Sequence, residues 1–284
     1  MRLNKILMKR WKHFFSRGMI LVMAVFMSSC ARLPIESIGC PPREMVVPTL
    51  TRVPILRKDV YHVAAPGETV WRIAKMYDVD IKDIKRANRL RNTKEIEMGQ
   101  RLIVPSAASL KPVVTLYPSK KWKYIIIHHS ATDVGNALAF HGYHHRRGFE
   151  NGLGYHFVVS NGTKGKEDGQ IEVSPRWTKQ QNGAHCKAAN MNNKAIGVCL
   201  VGNFSDGRVS QDQMESLVYL VDRLRRYYKV PLKNIMGHGR VHGAQTECPG
   251  KKFPWTKFIT GLKNARRYYG DRLIKEEHGD ARKY

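Results

Sequence analysis

Apolar residues along this chain fall into two kinds of run. Continuous or alternating runs mark strands, and runs recurring every three to four residues mark helices. Tyr61 and Val63 flank His62 in the alternation of a short strand. Ala65-Pro66-Gly67-Glu68-Thr69 reads as a turn into a helix, along which Val70, Ile73, Ala74 and Tyr77 repeat at helical spacing. A second helix is predicted from about Ile81 to Asn88. Leu102, Ile103 and Val104 then make a closing strand before Pro105.

Beyond residue 120 the pattern changes to strands and helices in alternation. Tyr124-Ile125-Ile126-Ile127 is a β-branched run that ends in His128 and His129, so a buried strand would deliver imidazoles to a sheet edge. Asn136 to Arg147 reads as a helix ending at Gly148. Gly154 to Val159 is a second strand, and Asn161-Gly162 is a turn before Gln170 to Val173. Ala195 to Gly202 is almost wholly apolar, as in a central strand covered on both faces. Ser210-Gln211-Asp212-Gln213 has capping-box form and opens a helix with Met214, Leu217, Val218, Val221 and Leu224 on one stripe. Ile235 to Gly237 is a short strand leading into His238. Trp255, Phe258, Ile259 and Leu262 belong to a last amphipathic helix. The expected class is α/β, with a mixed central β-sheet flanked by helices and a small βααβ unit ahead of it.

Composition adds compartment and partner. The formal net charge is +26 over 284 residues, which implies an anionic partner. Nucleic acid, membrane headgroups and a carboxylate-bearing wall polymer all satisfy that charge. Residues 1–29 carry six Lys or Arg, no acid, and an apolar run of ten from Gly18 to Met27. That run suits an export signal and is too short to span a bilayer. Met27-Ser28-Ser29-Cys30 follows and resembles the lipobox of bacterial lipoproteins, with Met27 where Leu is usual. The resemblance implies lipidation of Cys30, a lipid-anchored location in the cell envelope facing periplasm or wall, and no nucleic-acid partner. A conventionally cleaved signal or an uncleaved anchor is the other reading. Residues 30–57 are a proline-rich tether, 58–105 the small unit, 106–119 a linker, 120–265 the main domain and 266–284 a charged tail. A monomer is expected. The five cysteines are too few for a disulfide scaffold. Cys199, in mid-strand, reads as a small buried hydrophobe, and bridges from Cys186 to Cys199 or Cys40 have no spacing argument.

Candidate chemistry comes from three separated places: His128, His238 in Gly237-His238, and Cys248 in Cys248-Pro249-Gly250. Two nitrogens and a sulfur are a donor set that zinc prefers. A lone histidine beside a strand is more often a packed residue than a ligand. Yet nine of the twelve histidines fall between residues 128 and 242, which favours a site.

Two family resemblances rest on these residues. Tyr61-His62-Val63, Pro66 to Thr69, Trp71 to Ala74, Asn88 and Met98 to Leu102 together resemble a LysM domain. That likeness implies binding of N-acetylglucosamine chains between two loops, bringing in Gly67, Glu68, Thr69 and Asn88. The main domain resembles the zinc N-acetylmuramoyl-L-alanine amidases, which include phage lysozyme-type amidases and peptidoglycan recognition proteins. The matches run in order: Ile126 to Thr132, His144 with Gly148, Gly154 to Phe157, Asn182 to His185, Ile196 to Phe204, Gly237-His238, and Thr246 to Gly250.

The amidase resemblance implies that His128, His238 and Cys248 hold Zn²⁺, with an open fourth position for water. It implies hydrolysis of the amide between N-acetylmuramic acid and L-alanine in peptidoglycan. Tyr155 would be catalytic, polarising water and stabilising the oxyanion. Thr246 would be catalytic as a hydrogen-bond donor, and His185 a substrate contact. His144 reads as structural and His129 as packed. The last two ligands are ten residues apart, where about eight is usual in the family, so a loop insertion is expected and His242 stands as a minor alternative ligand. Some proteins of this fold keep the groove and lose the metal, so a non-catalytic wall-binding protein is the alternative function.

Overall fold

The protein's structure is a computed structural model that describes residues 56–94 and 96–269. The expected signal, Cys30, Cys40, most of the tether and residues 270–284 lie outside the described residues. No helix among the described residues is long and apolar enough to cross a membrane.

In the small unit, β1 (Lys58–Val63) pairs antiparallel with β2 (Arg101–Ala107), and α1 (Val70–Tyr77) and α2 (Ile81–Ala87) lie between them in sequence. Each helix starts where a side chain accepts an orphan amide. Thr69 takes the N–H of Arg72 at 3.2 Å, and Asp80 takes that of Lys82 at 2.7 Å. Helix α1 stops at Asp78, whose φ of 53° is left-handed. Val70, Ile73, Met76, Ile84, Leu102 and Val104 form the core of the unit.

The larger sheet contains β3 (Tyr124–His129), β4 (Phe157–Asn161), β5 (Asp168–Val173), β6 (Ala195–Leu200) and β7 (Ile235–Gly237) in the order β5-β4-β6-β3-β7. Only the β4–β5 pair is antiparallel, so the sheet is mixed. The helices are α3 (Ala137–Arg146), the short α4 (Pro175–Thr178) and α5 (Met191–Lys194), then α6 (Gln211–Tyr227) and α7 (Trp255–Tyr269). The capping box at Ser210 and Gln213 forms as the sequence suggests. Strand β4 begins at Phe157, three residues after the start its sequence pattern suggests, and the Gly154 backbone bonds instead to His144 and Ala184. Helix α7 continues to Tyr269, into the stretch expected as a tail.

Alternation along the strands decides which side chains face the site. Ile125 and Ile127 of β3, with Ile196, Val198 and Leu200 of β6, join the main core together with residues of α6 and α7. Burying each such side chain contributes about 2 kcal/mol. Ile126 faces the other way, into a separate cluster with Cys186, Met191 and Val241. His128, two residues on, shares the face of Ile126.

The two sheets belong to one compact unit. Residues 106–119, read as a linker, lie down as a strap instead. Ala108 and Lys111 donate backbone hydrogen bonds to Tyr77 and Met76 at 2.9 and 2.8 Å. On the other side the carbonyls of Thr115 and Tyr117 accept from Trp177 and Tyr228, both at 2.8 Å. Buried charges cross the junction as well. Arg72 donates to Glu68 at 2.7 Å and to the carbonyl of Ile171 at 2.9 Å. Lys166 donates to the carbonyl of Val63 at 2.8 Å and lies 3.4 Å from Glu172. The other oxygen of Glu172 accepts from the first amide of α3, that of Ala137, at 2.8 Å.

Candidate metal centre

His128 stands at the end of β3, and His238 is the first residue past β7. These strands are parallel neighbours with Ile127 opposite Gly237, so the two histidines emerge side by side. Their rings are 4.8 Å apart. Gly237 has no room for a side chain, because a Cβ would meet Pro249 at 2.6 Å and Trp255 at 2.9 Å. That bare backbone lets the Cys248-Pro249 segment seat against the strand end. Cys248 is thereby delivered to the same point, with its sulfur 3.6 Å from Nδ1 of His128.

The ligand atoms of His128, His238 and Cys248 all lie within 4.8 Å of one another. A tetrahedral ion with bonds of about 2.0–2.3 Å needs donors roughly 3.3–3.6 Å apart. The spacing therefore fits a zinc-sized ion after a small contraction. Donor chemistry fits too. Burial pushes both histidines below their ordinary range, so each keeps a neutral ring with a lone pair. Burial pushes the Cys248 thiol up to about 12, and the N–H of His129 on its sulfur at 3.4 Å only partly offsets this. A buried thiol beside two neutral imidazoles is a setting in which a divalent cation would stabilise the thiolate.

The ten-residue spacing between His238 and Cys248 is taken up in a 3₁₀ turn at His238–Arg240 and a second turn closed by Ala244 on Val241 at 2.9 Å. Val241 anchors this loop in the apolar cluster and leaves His242 exposed at its outer side. The metal-capable group among the described residues does not include His242.

His129, one residue further along β3, faces the opposite side and accepts the N–H of Phe204 at 3.1 Å. Tyr155 lies beside the centre, its ring 5.2 Å from that of His128. Burial, then the nearby Cys199 and Cys248, push its hydroxyl well above the usual range, so it remains a proton donor. His144 takes the N–H of Gly154 at 3.0 Å and so fixes the backbone that carries Tyr155. Thr246 is exposed, and its hydroxyl oxygen accepts the Cys248 N–H at 3.2 Å.

Other expected site residues sit differently from a surface contact. His185 is buried under His128, with both ring nitrogens engaged. Glu68 is buried between His62 and Arg72 at 2.7 Å from each, so its carboxylate is turned into the protein. The Asn88 amide is committed to the backbone of Ile84 and Ile103. Thr69 caps α1, and Gly67 packs against Pro175 of the larger domain. Cys199 is buried in mid-strand as expected, but its place at the site was not expected. It pairs in register with His128, shares its face and interacts with Tyr155. The only signal for this is the strand register, which a sequence does not display.

Comparison with known proteins finds two family models and several relatives. The family model described as N-acetylmuramoyl-L-alanine amidase matches residues 118–251, and the LysM domain model matches residues 62–105. Peptidoglycan-recognition protein 2 of Holotrichia diomphalia is 32% identical over 108 residues, covering 35% of this chain and 52% of the relative. The chain thus spans about half the length of that relative. Peptidoglycan-recognition protein SC2 of Drosophila melanogaster is 28% identical over 149 residues, covering 48% of this chain and 72% of the relative. Among solved structures, the N-acetylmuramoyl-L-alanine amidase LysC from Clostridium intestinale URNW aligns at 29% identity with a TM-score of 0.43. It covers 54% of this chain and 95% of its own.

Proposed function

We propose that this chain, with its N-acetylmuramoyl-L-alanine amidase domain at residues 118–251 and LysM domain at residues 62–105, is a zinc-dependent hydrolase of peptidoglycan. The bond cleaved is the amide between N-acetylmuramic acid and L-alanine. Water adds to the carbonyl carbon, the C–N bond breaks, and the alanine nitrogen leaves with a proton. The observation that carries the reading is the convergence of His128, His238 and Cys248 from three separate segments.

Zn²⁺ held by those three residues would supply a Lewis acid for the scissile carbonyl and lower the pKa of water toward about 7. Tyr155 donates a hydrogen bond to the carbonyl oxygen as negative charge builds there. Its burial, which keeps the phenol protonated, supports that role. Thr246 positions Cys248 through its oxygen and offers its own proton toward substrate. As a threonine it brings no positive charge. The rings of His144 and His128 pack 5.6 and 5.2 Å from that of Tyr155 and would hold it in place.

The LysM unit would hold the glycan through the backbone of the Gly67–Thr69 turn and the facing loop after Asn88, since the Glu68 and Asn88 side chains are already committed. Its packing against the β5 edge of the amidase domain would hold it at one place on that domain rather than on a freely swinging tether. Lipidation at Cys30 after export through residues 1–29 would place the enzyme in the cell envelope. The surplus of basic residues would favour approach to the acidic wall.

Mass spectrometry of products released from purified sacculi, with and without a chelator, tests the reaction. Free stem peptides beginning at L-alanine, lost on chelation, are expected. A protein that binds sacculi and releases nothing would leave wall recognition alone.

A further inference from the structure

His128 has its Nδ1 3.6 Å from the Cys248 sulfur, so that is the nitrogen that would take a shared metal. Its other nitrogen, Nε2, points inward and lies 3.0 Å from Nδ1 of His185. Nε2 of His185 in turn lies 3.3 Å from the carbonyl oxygen of Ala195. A carbonyl only accepts, so the proton of the His185 ring belongs on Nε2. The Nδ1 of that neutral ring is then a bare acceptor, and His128 must donate to it from Nε2. The lone pair of His128 is thereby left on Nδ1, aimed at the other two ligands.

The surroundings allow His185 one pose. Gly183 and Gly197 flank its ring so closely that a Cβ at either position would overlap it. The Asn192 side chain accepts the amides of His185 and Cys186 at 2.8 and 2.7 Å and pins the loop. Behind it, His156 is fixed in the same sense. Its Nδ1 accepts the Gly197 N–H at 2.9 Å, and its Nε2 donates to the Gln181 carbonyl at 3.2 Å. That ring closes the slot, 5.7 Å from His185.

From this geometry we infer that His185 is a positioning residue: it holds His128 in the Nε2-protonated tautomer, so that Nδ1 is free for the metal. The role is specific to this ring. A carboxylate in the slot would also accept from His128, but it would meet the Ala195 carbonyl as a second acceptor. The inference rests on the metal reading of the same three residues, yet the tautomer exists whether or not metal is bound.

The test therefore starts with metal-free, ¹⁵N-labelled wild-type protein. Long-range ¹H–¹⁵N correlation spectra should show His128 protonated at Nε2 and His185 protonated at Nε2. His128 protonated at Nδ1 would overturn the inference, and this measurement needs no variant to fold. Two variants then test the consequence by competition with a chromophoric zinc chelator. His185→Leu keeps volume but cannot accept, so zinc affinity should fall roughly 10–100-fold. His185→Asn places its amide oxygen where Nδ1 of His185 stands, so it restores the acceptor for His128 though not the contact to Ala195, and should recover affinity to within a few-fold of wild type. A folded His185→Leu protein that binds zinc as tightly as wild type would sink the assignment. Wild-type protein that takes up no zinc would remove the metal reading instead, while the spectra still decide the role of His185.

Discussion

The backbone N–H of Gly239 donates to the carbonyl oxygen of Cys248 at 2.7 Å. Gly239 follows His238 directly, so one hydrogen bond closes the loop that brings His238 and Cys248, two of the proposed metal ligands, together. Gly239 is also bare of necessity, because a Cβ there would overlap the carbonyl oxygen of Thr246. Gly239→Ala should force the two segments apart and weaken zinc binding by at least about tenfold, with the melting temperature of the metal-free protein reduced far less. Chelator competition and differential scanning calorimetry check both halves.

A change at Tyr155 would separate the proposed chemistry from metal binding. The tyrosine ring lies 5.2 Å from that of His128, beside the His128, His238 and Cys248 donor set. Tyr155→Phe should keep one zinc per protein and lower kcat by roughly 10²–10³. Elemental analysis together with timed release of stem peptide would show it. Loss of zinc along with activity would instead make Tyr155 part of the metal's support.

The ligand set makes a sharp contrast between two nearby residues. Cys248→Ser should abolish tight zinc binding and activity together, because a hydroxyl is a poor replacement for a thiolate. His242→Ala should leave both within experimental error, since His242 is exposed on the far side of its loop. Equal loss in the two variants would show that the loop closes differently in solution.

The junction between the two domains carries a pH dependence. Burial alone would raise the Glu68 pKa, but the hydrogen bond and charge of His62, with Arg72 and Lys166 behind, pull it from 4.5 to about 2. A carboxylate depressed by folding contributes stability that is full above its unfolded value and is lost as pH falls through its folded value. Glu68→Gln should therefore lower stability at neutral pH by about 2–3 kcal/mol. The gap from wild type should close between pH 4.5 and 2. Thermal melts across that range give the answer, and identical curves at pH 7 would mean the buried pair adds nothing net.

Much of the fold is legible along the chain, for a physical reason. The stripe of α6 carries a helical period, while the Ile125 to Ile127 run and the stretch from Ala195 to Leu200 are short, carry β-branched residues and are bounded by turn residues, as buried strands are. The capping box at Ser210 and the cap at Thr69 are local, so they appear in sequence as they do in space. The strap at residues 106–119 is different. It has no period and bonds mainly through its backbone, so its prolines and polar residues look like a free linker.

By itself, then, the sequence determined the order of elements, the α/β class with its βααβ forerunner, and the residue types able to hold a metal. Those follow from local periodicity and donor chemistry, which are properties of short stretches. Packing between distant segments sets His185 beneath His128, puts Cys199 on the same face, and locks Glu68 into a junction between domains. Each of these depends on strand register or on packing between segments distant in the chain. A short window of sequence records what a side chain can do, and the partner it meets is chosen by the rest of the fold.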